Sequence, residues 1–98
     1  MTIQLNKYIN TAFAKEDIDT ILPIIKESLY SDEEVILDFD NVKFFTTLFI
    51  NTLLITILDT ISMNEFMRRY KFANLTEYGE ALLYRCFDNM FEYYSEEL

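Results

Sequence analysis

A chain of 98 residues is long enough for one domain with one modest core, and its apolar half (51%) argues against disorder over most of its length. One glycine and one proline are too few for the turns of a Greek key or barrel, while one cysteine and no histidine exclude an internal disulfide framework and an ordinary His/Cys zinc site. Seventeen acids against eight bases leave a formal charge of −9. That charge argues against direct binding of nucleic acid, and leaves either a solvated acidic surface or an acidic face offered to a basic partner.

Residues 3–9, with Ile3, Leu5, Tyr8 and Ile9 as apolar positions, read as a first strand within an N-terminal strand region, 1–13. Glu16 and Asp17 then supply acids for a helix start, where they complement the dipole. Ile18, Ile21, Leu22, Ile25 and Leu29 follow as a single apolar stripe. Pro23 lies inside that stripe, either in the first turn or as a kink, and residues 31–34 end the helix. A second strand is expected over 35–39, and the near-continuous apolar run Val35-Ile36-Leu37 predicts that both its faces are covered.

Thr46 or Thr47 caps the next helix, expected over 47–61, whose broad face of Phe49, Ile50, Leu53, Leu54, Ile57, Leu58 and Ile61 marks a core helix or also an interface. Residues 68–75 hold a third short strand, and Asn74 or Thr76 caps a last helix whose stripe is Leu75, Leu82, Leu83, Cys86, Phe87, Met90, Phe91 and Tyr94. A frayed tail is expected at 95–98. The order is βαβαβα, a small parallel sheet with right-handed crossovers, and a homodimer hiding a helix face or sheet edge would suit a sheet of this size. The opening residues lack a secretory signal, and the uncharged run 44–58 is shorter than the roughly 20 apolar residues a membrane span needs. A cytoplasmic protein without a membrane span is therefore expected, and the lone Cys86 suits a reducing compartment.

Few residues carry chemistry. Asp38 and Asp40 stand two apart at a strand end and tend toward one face, but no third acid or Gly-rich loop completes a Mg²⁺ or acid–base site, so turn-forming contacts are the expectation. Cys86 falls on an apolar stripe as a structural thiol. Arg68, Arg69 and Lys71 form a basic cluster that either meets an acidic partner or offsets neighbouring acids. Nucleophile, base and oxyanion donors do not occur together, so neither enzyme, metal site nor cofactor is expected.

The run Val35-Ile36-Leu37-Asp38-Phe39-Asp40-Asn41-Val42-Lys43-Phe44-Phe45 resembles the "hydrophobic strand, Asp-Phe-Ser-Gly-Val-x-Phe-Ile" signature of STAS domains, the sulphate-transporter and anti-sigma-factor-antagonist domains. It is closer to the bacterial STAS-like families of unknown function. Upstream, Ala14-Lys15-Glu16-Asp17-Ile18 is similar to the "Arg-Glu-Asp-Ala" opening of their first helix. Downstream, Phe72-Ala73-Asn74-Leu75-Thr76-Glu77 resembles their "Val-Asn-Leu-Asn-Glu" approach to the last helix, so the likeness covers most of residues 14–90.

The resemblance implies a small STAS-like α/β domain over 1–98, with a short, mostly parallel sheet of three to four strands packed by helices. It implies a non-catalytic regulatory protein–protein interaction module of the partner-switching kind, met by a kinase or anti-sigma-like ATPase. The docking residues would be Asp40, Asn41, Lys43, Thr46, Thr47, Leu48 and Asn51. Thr47 takes the position of the hydroxyl that a partner kinase phosphorylates in anti-sigma-factor antagonists, with Leu48 and Phe49 where that family has a small residue and a glycine. The alternative is an acidic inhibitor or antidefence protein that occupies a basic, nucleic-acid-binding surface of a partner.

Overall fold

The computed structural model describes residues 1–95; Glu96, Glu97 and Leu98 lie outside the described residues, and with them most of the expected frayed tail. In chain order the elements are β1 (Thr2–Gln4), a 3₁₀ turn (Leu5–Lys7), α1 (Lys15–Ser28), β2 (Val35–Asp38), α2 (Thr47–Leu58), α3 (Met63–Arg69), β3 (Tyr70–Ala73) and α4 (Glu77–Ser95). The strands form one parallel sheet in the order β1-β2-β3, so the expected small parallel α/β architecture is borne out with three strands among the described residues. The first strand is shorter than the predicted 3–9, because Leu5 turns inward into the core instead of continuing the ladder.

Coverage of the sheet differs from the expectation. Val35 and Leu37 of β2 are buried, but Ile36 and Asp38, which alternate with them, are only half-buried. The register places Ile36 between Thr2 and Lys71, both exposed, so the second face is largely open. The physical reason lies in the strand order. Successive right-handed crossovers that step in one direction lay their helices over the same face. An apolar run three residues long does not distinguish that arrangement from a doubly covered strand.

Helix α2 is the centre of the core, packed between α1 and α4. Phe49, Ile50, Leu53, Leu54, Ile57 and Leu58 are all buried, so its broad apolar face is covered by this chain's own elements. The helix stops at Leu58, short of the predicted residue 61. The chain then turns by 108° into α3, which the sequence reading had not separated. Ser62 starts this short helix by accepting from the Glu65 N–H at 3.1 Å. No single helix among the described residues is long and apolar enough to cross a membrane.

The basic cluster divides. Arg68 and Lys71 are exposed, whereas Arg69 is 2% exposed. Its guanidinium donates to the Ser28 carbonyl at the end of α1 (3.0 Å) and to the Glu33 carbonyl (3.1 Å), with Glu65 Oε2 at 3.7 Å. Ser28 Oγ donates to the Ile25 carbonyl (2.6 Å), which leaves the Tyr70 hydroxyl to donate to Ser28 Oγ at 2.7 Å. Arg69 thus holds the α1–β2 connection against β3.

Candidate functional site

Because all three strands run parallel, the connections that follow them, 5–14, 39–46 and 74–76, meet at the carboxyl edge of the sheet. In open α/β sheets this edge is where ligands and partners are met. The first two connections are stitched together through their backbones. Lys43 N–H donates to the Asn10 carbonyl (3.1 Å), Ala12 N–H to the Lys43 carbonyl (2.9 Å) and Thr46 N–H to the Ala12 carbonyl (3.0 Å). The third is tied in by Asp38, whose Oδ1 accepts from Asn74 Nδ2 (2.9 Å) and from the Asp40 N–H (3.0 Å). The hydrogen bond from Asn74, together with that from the Asp40 amide, holds the Asp38 carboxyl below its usual pKa despite slight desolvation. Asp38 therefore makes the expected turn contact, and Asp40 enters it through its amide, with its own carboxylate exposed.

Each helix start at this edge is capped from within. Asp17 accepts from Thr11 Oγ1 (2.6 Å) and from the N–H groups of Ala14 (2.9 Å) and Phe13 (3.1 Å). Thr46, and not Thr47, caps α2: its hydroxyl accepts from Phe49 N–H (3.2 Å) and donates to the Phe13 carbonyl (3.0 Å). Thr76 caps α4 by accepting from Gly79 N–H at 3.0 Å. At each of these starts an oxygen of the chain itself accepts from a backbone amide in or beside the first turn, where an anion would otherwise sit.

Asp17 permits a direct check. Burial works to raise its pKa, but the Thr11 hydroxyl and the Ala14 and Phe13 amides outweigh it, and the carboxyl sits below its ordinary value. A depressed pKa means stability that is present above the unfolded-state value and lost as pH falls through the folded one. Asp17→Ala should lower unfolding stability by about 1 kcal/mol at neutral pH, the usual size of a lost cap. The deficit should shrink as pH falls below about 4, the ordinary carboxylate value, and vanish only once the native carboxyl, held lower, has taken up its proton. Urea unfolding followed by circular dichroism at both pH values measures it; an unchanged deficit in acid would contradict the assignment.

The expected docking residues separate by environment. Asp40, Asn41, Lys43, Thr47 and Leu48 are exposed on the rim, with Asn41 in the left-handed region (φ 61°) that asparagine tolerates. Thr46 is half-buried and structural. Thr47 is the first residue of α2, and no hydrogen bond of its hydroxyl is found among the described residues. Asn51 is half-buried, with its Oδ1 enclosed and without a hydrogen-bond partner among the described residues, and nothing in the fold accounts for it.

Sequence reasoning missed the aromatic part of this site. A groove of about 590 Å³ is lined by Thr11, Phe13, Phe44, Phe45, Thr76 and Tyr78, two residues from each of the three strand–helix junctions. Phe45 is buried as its floor, whereas Phe13, Phe44 and Tyr78 are 58%, 70% and 64% exposed. Phe44 also has φ 59°. For a residue with a Cβ that conformation costs about 1–2 kcal/mol, and a bulky side chain there is an outlier. Neither burial nor backbone preference explains a phenylalanine at this position. The one local signal was the Phe44-Phe45 pair beside a polar loop, since adjacent aromatics rarely find cover on the same side of the chain.

Cys86 lies elsewhere, buried on α4, where burial raises the thiol pKa against the nearby Arg85 charge. No group of three His, Cys, Asp or Glu side chains that could hold a metal occurs among the described residues.

Fold and site together define a small parallel α/β domain whose caps and aromatic side chains converge at the carboxyl edge. A family profile for the STAS-like domain of unknown function (DUF4325) matches residues 19–80, and the chain belongs to that family. The match takes in β2, its loop and the first turn of α4, and so agrees with the resemblance read from the Asp-Phe signature. Comparisons with curated proteins and with solved structures find no match.

Proposed function

We propose that this chain is a non-catalytic regulatory module that docks a protein partner on the carboxyl-edge rim. The observation that carries the reading is the groove ringed by three exposed aromatic side chains, Phe13 and Phe44 from the first two connections and Tyr78 from the first turn of α4. Leu48, 60% exposed at the start of α2, and the free hydroxyl of Thr47 extend the same surface. Scattered exposed apolar residues are ordinary, but several gathered at the functional edge of a sheet are the usual sign of an interaction site. The reading is non-catalytic because the nearby carboxylates of Asp17 and Asp38 serve as structural acceptors and the thiol of Cys86 is enclosed.

A photo-crosslinking amino acid placed at Leu48 or at Tyr78 in the native host tests the docking face. Tyr30 serves as the control, because it is exposed and lies just beyond the end of α1, remote in the chain from the groove-lining connections. The expected result is one covalent partner from both rim positions and none from the control. Adducts of equal yield from all three positions, or none at all, would remove the docking face.

The finer version is partner switching with an anti-sigma-like ATPase that phosphorylates Thr47. Phosphorylation would place about −1.5 to −2 charge at the first helical residue of an already acidic rim. Incubation with such an ATPase and ATP, read by intact mass and by mass mapping of residue 47, decides that version. The second reading, inhibition of a basic nucleic-acid-binding protein, rests on the same acidic character; its binding should collapse as salt is raised, whereas apolar docking should lose much less.

A further inference from the structure

We infer that the groove between Phe13, Phe44 and Tyr78 seats a lysine or arginine side chain of the partner, held against the aromatic faces and drawn in by the acidic rim. This deepens the docking reading above and rests on it. Three observations favour a cation over the other occupants of such a site.

The first is charge. Residues 5–18, 38–50 and 74–80, which build the rim, hold the six carboxylates of Glu16, Asp17, Asp38, Asp40, Glu77 and Glu80 against three lysines. One of those lysines, Lys15, is already engaged with Asp19 at 2.9 Å. The second is the state of the helix ends. Three N-termini at one edge would ordinarily invite an anion, but each already carries an oxygen of this chain: the Asp17 carboxylate on the Phe13 and Ala14 amides, Thr46 Oγ1 on the Phe49 amide and Thr76 Oγ1 on the Gly79 amide. The third is the lining itself, aromatic with two threonine hydroxyl groups and without a basic side chain, on a molecule of net charge −9. Aromatic faces attract cations through their ring quadrupole, and the attraction grows when water is excluded.

The conformation of Phe44 supplies the discriminating variant. Replacing Phe44 by glycine removes an exposed ring and relieves a left-handed backbone, so the fold should keep or raise its Tm while binding is lost. That combination separates a recognition residue from a structural one.

The probe is an octapeptide carrying three arginines among glycines and leucines, titrated into the full ¹⁵N-labelled chain by NMR. Two companion peptides replace every arginine by glutamine or by glutamate. The expected result is shifts gathered at residues 11–13, 43–45 and 76–78 for the arginine peptide, and affinity weaker by about tenfold when salt rises from about 0.01 to 0.15 M. The glutamine and glutamate peptides should not bind. Phe44→Gly should weaken binding by about 5- to 30-fold, the range a partly desolvated cation–aromatic contact corresponds to. Phe44→Leu, which keeps apolar bulk without the π-face, should lose nearly as much.

Equal binding of the glutamine peptide would make the groove a general apolar cleft and overturn the proposal, as would preference for glutamate or shifts elsewhere. Concentration-dependent shifts at the same residues without peptide would name a second copy of this chain as the occupant, also against it. If the peptides fail while Leu48 and Tyr78 still crosslink a partner, only the cationic assignment falls. If the crosslinks fail as well, the docking reading falls with it.

Discussion

Replacing Arg69 with alanine should lower unfolding stability by about 3–5 kcal/mol, the cost of removing one member of a buried charged network. That is a large share of the roughly 5–15 kcal/mol a domain possesses. The change strips hydrogen bonds from the Ser28 and Glu33 carbonyls, leaves the half-buried Glu65 carboxylate with Arg68 alone of its two arginine neighbours and opens a void the size of the side chain. It also loosens the end of α1, because the Ser28 carbonyl of its last residue is then left with only the 3.3 Å bond from the Ser31 N–H. Arg69→Met refills most of the volume without restoring the bonds, and should recover part of the loss. Arg69→Lys should remain poor, since a point charge cannot serve two carbonyls in the fork geometry of a guanidinium. Urea unfolding of the three variants gives the order, with the midpoint falling at constant slope. An alanine variant within about 1 kcal/mol of wild type would show the network to be incidental.

The second large effect concerns Phe45 and Gly79, the floor of the groove and the start of α4. A Cβ built on Gly79 would lie 2.9 Å from Phe45 Cε2, closer than real Cβ atoms approach, so the sole glycine of the chain is there to admit the ring. Phe45→Ala should cost about 3–5 kcal/mol as a deleted core aromatic. Gly79→Ala alone should destabilise by about 1–3 kcal/mol through overpacking, reduced by the helix preference of alanine. In the Phe45→Ala background the obstruction is absent, and Gly79→Ala should become stabilising by up to about 1 kcal/mol. The change of sign is the test, and a double-mutant cycle measures it. Additive effects would mean that the ring and the glycine do not share the space. Phe45→Ala also removes the floor under Phe44, so rim docking should weaken even where the fold survives.

These two positions show where sequence reasoning reached its limit. Arg69 stands among Arg68 and Lys71 in a cluster that reads as exposed, and burial of a guanidinium depends on carbonyls 36 and 41 residues away in the chain. Gly79 reads as an isolated weak spot in a helix, because its purpose is a ring contributed by another connection. Helix α3 was more accessible: Ser62 followed by Glu65 has the spacing of a capping box, and the structure uses the Ser62 half of it. Likewise, either threonine of the Thr46-Thr47 pair can cap α2. The choice of Thr46 is made by the Phe13 carbonyl, which accepts its proton.

What the amino-acid order determined by itself was local and periodic. The Val35–Leu37 run, the stripes of α1, α2 and α4, the acids and threonines at helix starts and the Asp-Phe signature all depend on neighbours within a few positions. They sufficed for a parallel α/β domain and for its family. Tertiary structure alone decided which sheet face stays open, which arginine is buried and which aromatic residues share a groove. Those outcomes follow from the strand order and from backbone bonds between separate connections, which bring residues 13, 44 and 78 to one edge; no periodicity along the chain records that convergence.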